Sequence, residues 1–200
     1  NMSAQPCDTD YMTVEEYLTF EDESDIRHEY IDGEIYAMTG ASVRHNIVIS
    51  QLIITLGNQL RDKDRLLMAN DTRIKVDASI SYRYPDLVII CGKPKFVEGR
   101  NDTISNPVIL IEVLSPSTEL IDRNPKLDEY TQIPDLEEYV LVSQDTYKVE
   151  RFLRQDSGDW LYTKVGDLDG VLSLPSIDCT LALADVYNKL DLLDTIEDEE

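Results

Sequence analysis

Apolar residues recur along this chain in two rhythms. VILIEVL (residues 108–114), PDLVII (85–90) and EYVLVS (138–143) are almost continuously apolar and rich in β-branched side chains. Such runs read as strands covered on both faces, because a strand with one wet face alternates instead. Ile49, Leu52, Ile53, Leu56 and Leu60 recur every three or four residues, which predicts a long helix over residues 42–61 with one buried stripe. Thr13 and Glu16 in T-V-E-E form a capping-box signal, so a short helix is expected from there toward Glu21. RHEYIDGEIYAM predicts two short strands around an Asp32-Gly33 turn. A strand is expected at RIKV and a helix between Thr118 and Thr131. EYVLVS, YKVERFLR and DWLYTKV predict three antiparallel strands, followed by a short helix over 183–190. With no internal repeat and no low-complexity linker, the order of elements predicts one α/β domain over residues 12–190, built on a mixed central sheet. Residues 1–11 read as an N-terminal extension, in which Asn1 precedes an initiator-like Met2 and looks like a residue left by expression. Residues 191–200 read as a solvated acidic tail.

Two acids break the apolar pattern. Glu112 lies inside V-I-L-I-E-V-L, where an unpaired carboxylate would cost several kcal/mol and therefore needs a cation, donors or a proton. Asp86 follows Pro85, which cannot donate to a ladder and so belongs at a strand's start; Asp86 then stands at the first pleats of L-V-I-I. Two carboxylates entering a sheet on neighbouring strands repel unless a cation lies between them or one takes a proton. Hard oxygen ligands with open positions suit Mg²⁺ or Mn²⁺, which can polarise a phosphodiester and activate water.

Charge complicates that chemistry. The 200 residues carry 40 acidic against 18 basic side chains, a net charge of −22, so nonspecific adhesion to polyanions is excluded. A nucleic-acid function must overcome this field with divalent cations or a local basic cluster. Much of the acid lies near the ends, in EEYLTFEDESD and DLLDTIEDEE. Cys7, Cys91 and Cys179 are widely spaced and read as free thiols in a reducing cytoplasm. No stretch is long and apolar enough to span a bilayer, so no membrane partner is expected. With only His28 and His45 and no cysteine cluster, a zinc site is not expected. Glycine-rich phosphate loops are absent, and S-P-S-T after Glu112 lacks a nucleophile elbow.

The order E29-Y-I-D-G-E-I-Y-A-M, H45, Y84-P-D-L-V-I-I, E112-V-L-S-P-S-T, D122, K126, Y130 and E138-Y-V-L-V resembles the Uma-two family of restriction endonuclease-like proteins, within the PD-(D/E)xK nuclease superfamily. The resemblance runs from Met12 to about Leu190. It implies a restriction-endonuclease-like fold, a mixed central sheet flanked by helices, and metal-dependent hydrolysis of DNA. It also implies an acid from the N-terminal region, for which Glu29 is the candidate, and homodimers, which are common in that superfamily. One position departs from the pattern: two residues beyond the acid the superfamily has lysine, and here Leu114 stands on the same strand face as Glu112. Lys126 is the expected replacement. Asp122, Lys126 and Tyr130 are spaced by four, although Asn124-Pro125 reads as an N-cap and first helical residue that would leave Asp122 before the helix.

Each candidate has a plainer alternative. Asp86 and Glu112 are either metal ligands, with the backbone carbonyl of Val113 as a third, or respectively a turn cap and a structural acid paired with Lys or Arg. Glu29 either completes the acidic cluster or is a solvated hairpin residue beside Arg27. His45 is a group behind the metal ligands or a hydrogen-bonded structural histidine near a helix start. Lys126 either positions the attacking water or is a solvated helix residue, and Tyr130 is core packing or part of the chemistry. The two functions expected are a Mg²⁺-dependent endonuclease and a catalytically silent nuclease fold serving as a binding or assembly module.

Overall fold

The computed structural model describes residues 11–194; Cys7, the other residues expected in the N-terminal extension up to 10, and the acidic tail beyond 194 lie outside the described residues. Helix α1 (Val14–Glu23) starts with the capping box: Glu16 N–H donates to Thr13 Oγ1 at 3.3 Å and Thr13 N–H to Glu16 Oε2 at 2.8 Å. The hairpin of β1 (His28–Ile31) and β2 (Glu34–Ala37) turns at Asp32 (φ 43°) and Gly33 (φ 98°), and Ile31 pairs with Glu34. At Gly33 the positive φ favours glycine, and a Cβ there would run into the Tyr11 ring where it now lies.

After α2 (Val43–Leu60) come β3 (Arg65–Ala69), β4 (Arg73–Val76), β5 (Ser81–Arg83), β6 (Leu87–Cys91), β7 (Thr103–Ile104) and β8 (Ile109–Leu114). Helices α3 (Glu119–Arg123) and α4 (Pro125–Tyr130) precede the antiparallel meander β9 (Glu138–Ser143), β10 (Val149–Arg154) and β11 (Trp160–Val165). The hairpin β12 (Val171–Leu174) and β13 (Cys179–Ala182) leads into short helices α5 (Leu183–Val186) and α6 (Asp191–Asp194). The larger sheet has strand order β11-β10-β9-β8-β6-β3 and is mixed, since β8 and β9 run parallel while β6 pairs antiparallel with both β8 and β3. A second sheet has order β2-β1-β5-β4-β7.

Both faces of the larger sheet are covered, and the period of two divides the work between them. Ile109, Ile111 and Val113 of β8 join the core shared with α2, α5 and the last hairpin. Leu110 and Leu114 face the other core with Val88, Ile90, Ile74 and Tyr130. Glu112 shares that second face. On α2, Val48, Ile49, Leu52, Leu56 and Leu60 are buried, whereas Ile53 is 36% exposed and belongs to the flank of the stripe, not to its centre. The helix expected between Thr118 and Thr131 is two helices, broken at Asn124 (φ −121°, ψ −82°) because a residue before proline is pushed out of helical geometry. Asn124 stands at the N-cap position of α4 with Pro125 first in the helix, as expected, but its side chain does not cap the helix; its Nδ2 donates to the Leu120 carbonyl at 3.0 Å. Asp122 lies ahead of α4, the helix that carries Lys126 and Tyr130, and sits in a short helix of its own, α3. Cys91 and Cys179 are free thiols.

Candidate active site

The ladder between β6 and β8 ends with Leu87 opposite Ile111, so the next residue, Asp86, comes opposite Glu112. Asp86 continues the strand by its side chain: the Val113 N–H donates to Asp86 Oδ2 at 2.7 Å. His45, on the first turn of α2, approaches Asp86 Oδ1 with Nε2 at 3.3 Å. Ser42 caps that turn by accepting from the His45 N–H, which fixes the direction from which the imidazole arrives. Asp86 is therefore not a local turn cap; it ties two strands and a helix together.

From the other side, α4 brings Lys126 and Tyr130 to Glu112. The Lys126 ammonium and the Tyr130 hydroxyl both donate to Glu112 Oε1, at 3.0 and 3.1 Å. The same ammonium is 3.1 Å from Asp122 Oδ1 and 3.5 Å from Glu29 Oε1. Lys126 is buried, as are Glu112 and Asp122, so this lysine is not a solvated helix residue. Leu114 packs in the apolar cluster with Tyr130 and Leu141, and the ammonium that stands beside Glu112 is that of Lys126. Tyr130 also packs edge-on against Tyr139 at 5.2 Å, and it combines packing with a hydrogen bond to the acid.

Glu29 on β1 is not solvated beside Arg27, which pairs with Asp71 instead. Its Oε2 accepts from Arg83 Nη1 at 2.8 Å and its Oε1 from the Tyr84 N–H at 3.3 Å. Glu29 thus joins the cluster through Lys126. Arg83, which sequence reasoning missed, is buried and also grips Glu129 of α4. Its signal was available: a cation between two tyrosines just before Tyr84-Pro85-Asp86, in a strand of three residues too short to show a period.

The acids outnumber the cations here, and their protonation follows. Burial raises the Glu112 pKa well above the usual carboxylate range; Lys126 opposes this, while Asp122, Asp86 and Glu29 reinforce it. Burial also raises Asp122 against the pull of Lys126. Glu29 differs: burial alone would raise it, but the charges of Lys126 and Arg83 leave it below its ordinary value. For Lys126, burial favours the neutral amine, yet Glu112, Glu29 and Asp122 outweigh it and hold the group firmly as an ammonium.

The family model described as "Putative restriction endonuclease", Uma2, matches residues 14–184. The chain belongs to the Uma2 family. Two relatives in Synechocystis sp. (strain ATCC 27184 / PCC 6803 / Kazusa) are similar over most of their length. The uncharacterized protein sll1609 is 35% identical over 78% of this chain and 89% of the relative; the uncharacterized protein slr1290 is 34% identical over 90% and 93%. Among solved structures, one described as "a putative nuclease belonging to DUF820" from Anabaena variabilis ATCC 29413 superposes with a TM-score of 0.73. At 16% identity it covers 88% of this chain and 97% of its own, so the likeness is one of fold, a restriction-endonuclease-like mixed sheet with flanking helices.

A divalent metal, which the Uma2 resemblance implies, can be tested against these residues. Asp86 and Glu112 offer carboxylate oxygens, with His45 Nε2 at 3.3 Å from Asp86 Oδ1, and with Asp122 and Glu29 nearby the acids exceed the single Lys126 ammonium. That is the chemistry of a hard cation site. Among the described residues no three His, Cys, Asp or Glu side chains are gathered as a ready cage. Two carboxylates suffice for Mg²⁺, which usually keeps several waters and phosphate oxygens as its other ligands. No helix among the described residues is long and apolar enough to cross a membrane.

Proposed function

We propose that this protein is a metal-dependent endonuclease that hydrolyses DNA phosphodiester bonds. The observation that carries the reading is the meeting of Asp86, the residue just before β6, with Glu112 from β8 and the Lys126 ammonium from α4, 3.0 Å from Glu112. Asp86 and Glu112, with the Val113 carbonyl and with Glu29 in support, would hold Mg²⁺ or Mn²⁺. When bound, such an ion supplies Lewis-acid polarisation of the phosphodiester. Lys126 orients the attacking water and balances charge on the pentacoordinate phosphorus, the work that lysine two residues beyond the acid does in the superfamily. Tyr130 fixes the rotamer of Glu112 through Oε1, and His45 fixes that of Asp86 through Oδ1. On this reading the protein acts in the cytoplasm as a homodimer, each copy addressing one strand.

A second reading is a silent nuclease fold used for binding or assembly. It draws on Lys126 being enclosed by three acids and on the net charge of −22. Purified wild type and the variants Asp86→Ala and Glu112→Ala, incubated with plasmid and linear DNA in Mg²⁺ or Mn²⁺, decide between them. Nuclease chemistry predicts cleavage by wild type, none by either folded variant and none in EDTA. Equal cleavage by all three proteins, or none by wild type, contradicts it.

A further inference from the structure

One ammonium serves three carboxylates here, and a site intended for a divalent ion already holds a cation of its own. Lys126 Nζ lies 3.0 Å from Glu112, 3.1 Å from Asp122 and 3.5 Å from Glu29. The three acids come from three elements, β8, α3 and β1; Arg83 also holds Glu29, at 2.8 Å, whereas among the described residues Lys126 is the cation paired with Glu112 and Asp122. Asp122 Oδ1 is buried and makes no well-aligned hydrogen bond, even to the nearby ammonium, so the lysine sits in a compromise position among its partners. Tyr130 shares Glu112 Oε1 with it and steadies one side of the contact.

We infer that Lys126 is a built-in counter-ion: it holds the acid cluster together in the metal-free protein and competes with the divalent cation for Glu112. The inference rests on the metal site proposed above and concerns its regulation. Two unit charges a few ångströms apart at a buried site interact more strongly than in water, and a divalent ion entering beside a fixed ammonium is repelled by it. Metal affinity is therefore set low by the protein's own lysine. Asp122 supplies the other anchor, toward which the ammonium can lean when Glu112 turns to the metal. The break at Asn124 permits this, because Asp122 and Lys126 lie on separate helices, α3 and α4.

The test is calorimetric titration of Mn²⁺ and Ca²⁺ into the folded protein, together with thermal unfolding without metal. In Lys126→Met the counter-ion is gone, so the metal-free melting temperature should fall while affinity for both ions rises by about tenfold or more. Lys126→Arg, which keeps the charge, should remain within about threefold of wild type. If Lys126→Met does not fold, Lys126→Met with Asp122→Asn removes one acid along with the cation, and the same tightening is expected. Wild type and Lys126→Met binding equally well, or the variant binding more weakly, overturns the counter-ion and leaves the nuclease reading standing. Binding by Lys126→Met with none by wild type supports the counter-ion and overturns the nuclease reading, since the lysine would then close the site outright. No binding by either protein overturns both.

Discussion

Glu112 folds into surroundings that favour its protonated form, and this has a measurable consequence at the scale of one residue. Its pKa in the folded protein is raised, by burial first and by neighbouring acids second. Below the ordinary carboxylate range both folded and unfolded chains hold the proton, and the group costs nothing. As pH climbs from that range toward the raised folded value, the unfolded chain releases the proton that the folded chain keeps, and stability falls. Urea denaturation of metal-free Glu112→Gln should therefore show a stability difference from wild type that shifts in the variant's favour as pH rises from about 4 to 8. A difference that stays flat, or shifts the other way, would show that the carboxylate is ionised throughout. Glu29, held below its ordinary value by Lys126 and Arg83, works in the opposite sense: its contribution is lost on acidification.

At the scale of elements, the packing of α2 on the sheet gives the clearest forecast. Leu52 is fully buried against that sheet, whereas Ile53 is partly exposed, although the two are adjacent in sequence and both fit an approximate helical repeat. Leu52→Ala should lower unfolding free energy by about 2–5 kcal/mol, while Ile53→Ala should cost about 1 kcal/mol or less. Chemical denaturation of the two variants checks both numbers. The same contrast shows what the sequence could disclose. The apolar runs of β6, β8 and β9, the Thr13–Glu16 capping box and the Asp32-Gly33 turn were legible because each is a local signal that packing reinforces. Strands β3, β5, β7, β12 and β13 were not. Leu66-Leu67-Met68 in β3 has helix-forming side chains, and β5 and β7 have three and two residues, too few for any rhythm. At the candidate site, Asp86 and Glu112 stood out because acids interrupt apolar strands, and Lys126 because the resemblance left a lysine to be found. Arg83 did not stand out, since only the crossing of β1, β5 and α4 gives it Glu29 and Glu129 as partners.

For the whole molecule, the net charge of −22 makes the proposed function depend on divalent ions, for stability as well as for DNA contact. Mn²⁺ at about a hundred times its dissociation constant should stabilise wild type by about 2.7 kcal/mol, seen as a higher melting temperature, and should leave Glu112→Ala unmoved. In EDTA at moderate salt, the protein should not retain DNA in a mobility-shift experiment, because its surface repels phosphates; retention should appear with a non-hydrolysing divalent ion such as Ca²⁺. Retention that is equally strong in EDTA would mean that a basic surface, not the metal, recruits the substrate.

The most direct measurement is anomalous scattering from crystals grown or soaked in Mn²⁺. The account predicts one strong peak at bonding distance from carboxylate oxygens of both Asp86 and Glu112, absent from crystals of Glu112→Ala treated alike. Manganese bound only elsewhere, or no peak between those two side chains at saturating Mn²⁺, would contradict it.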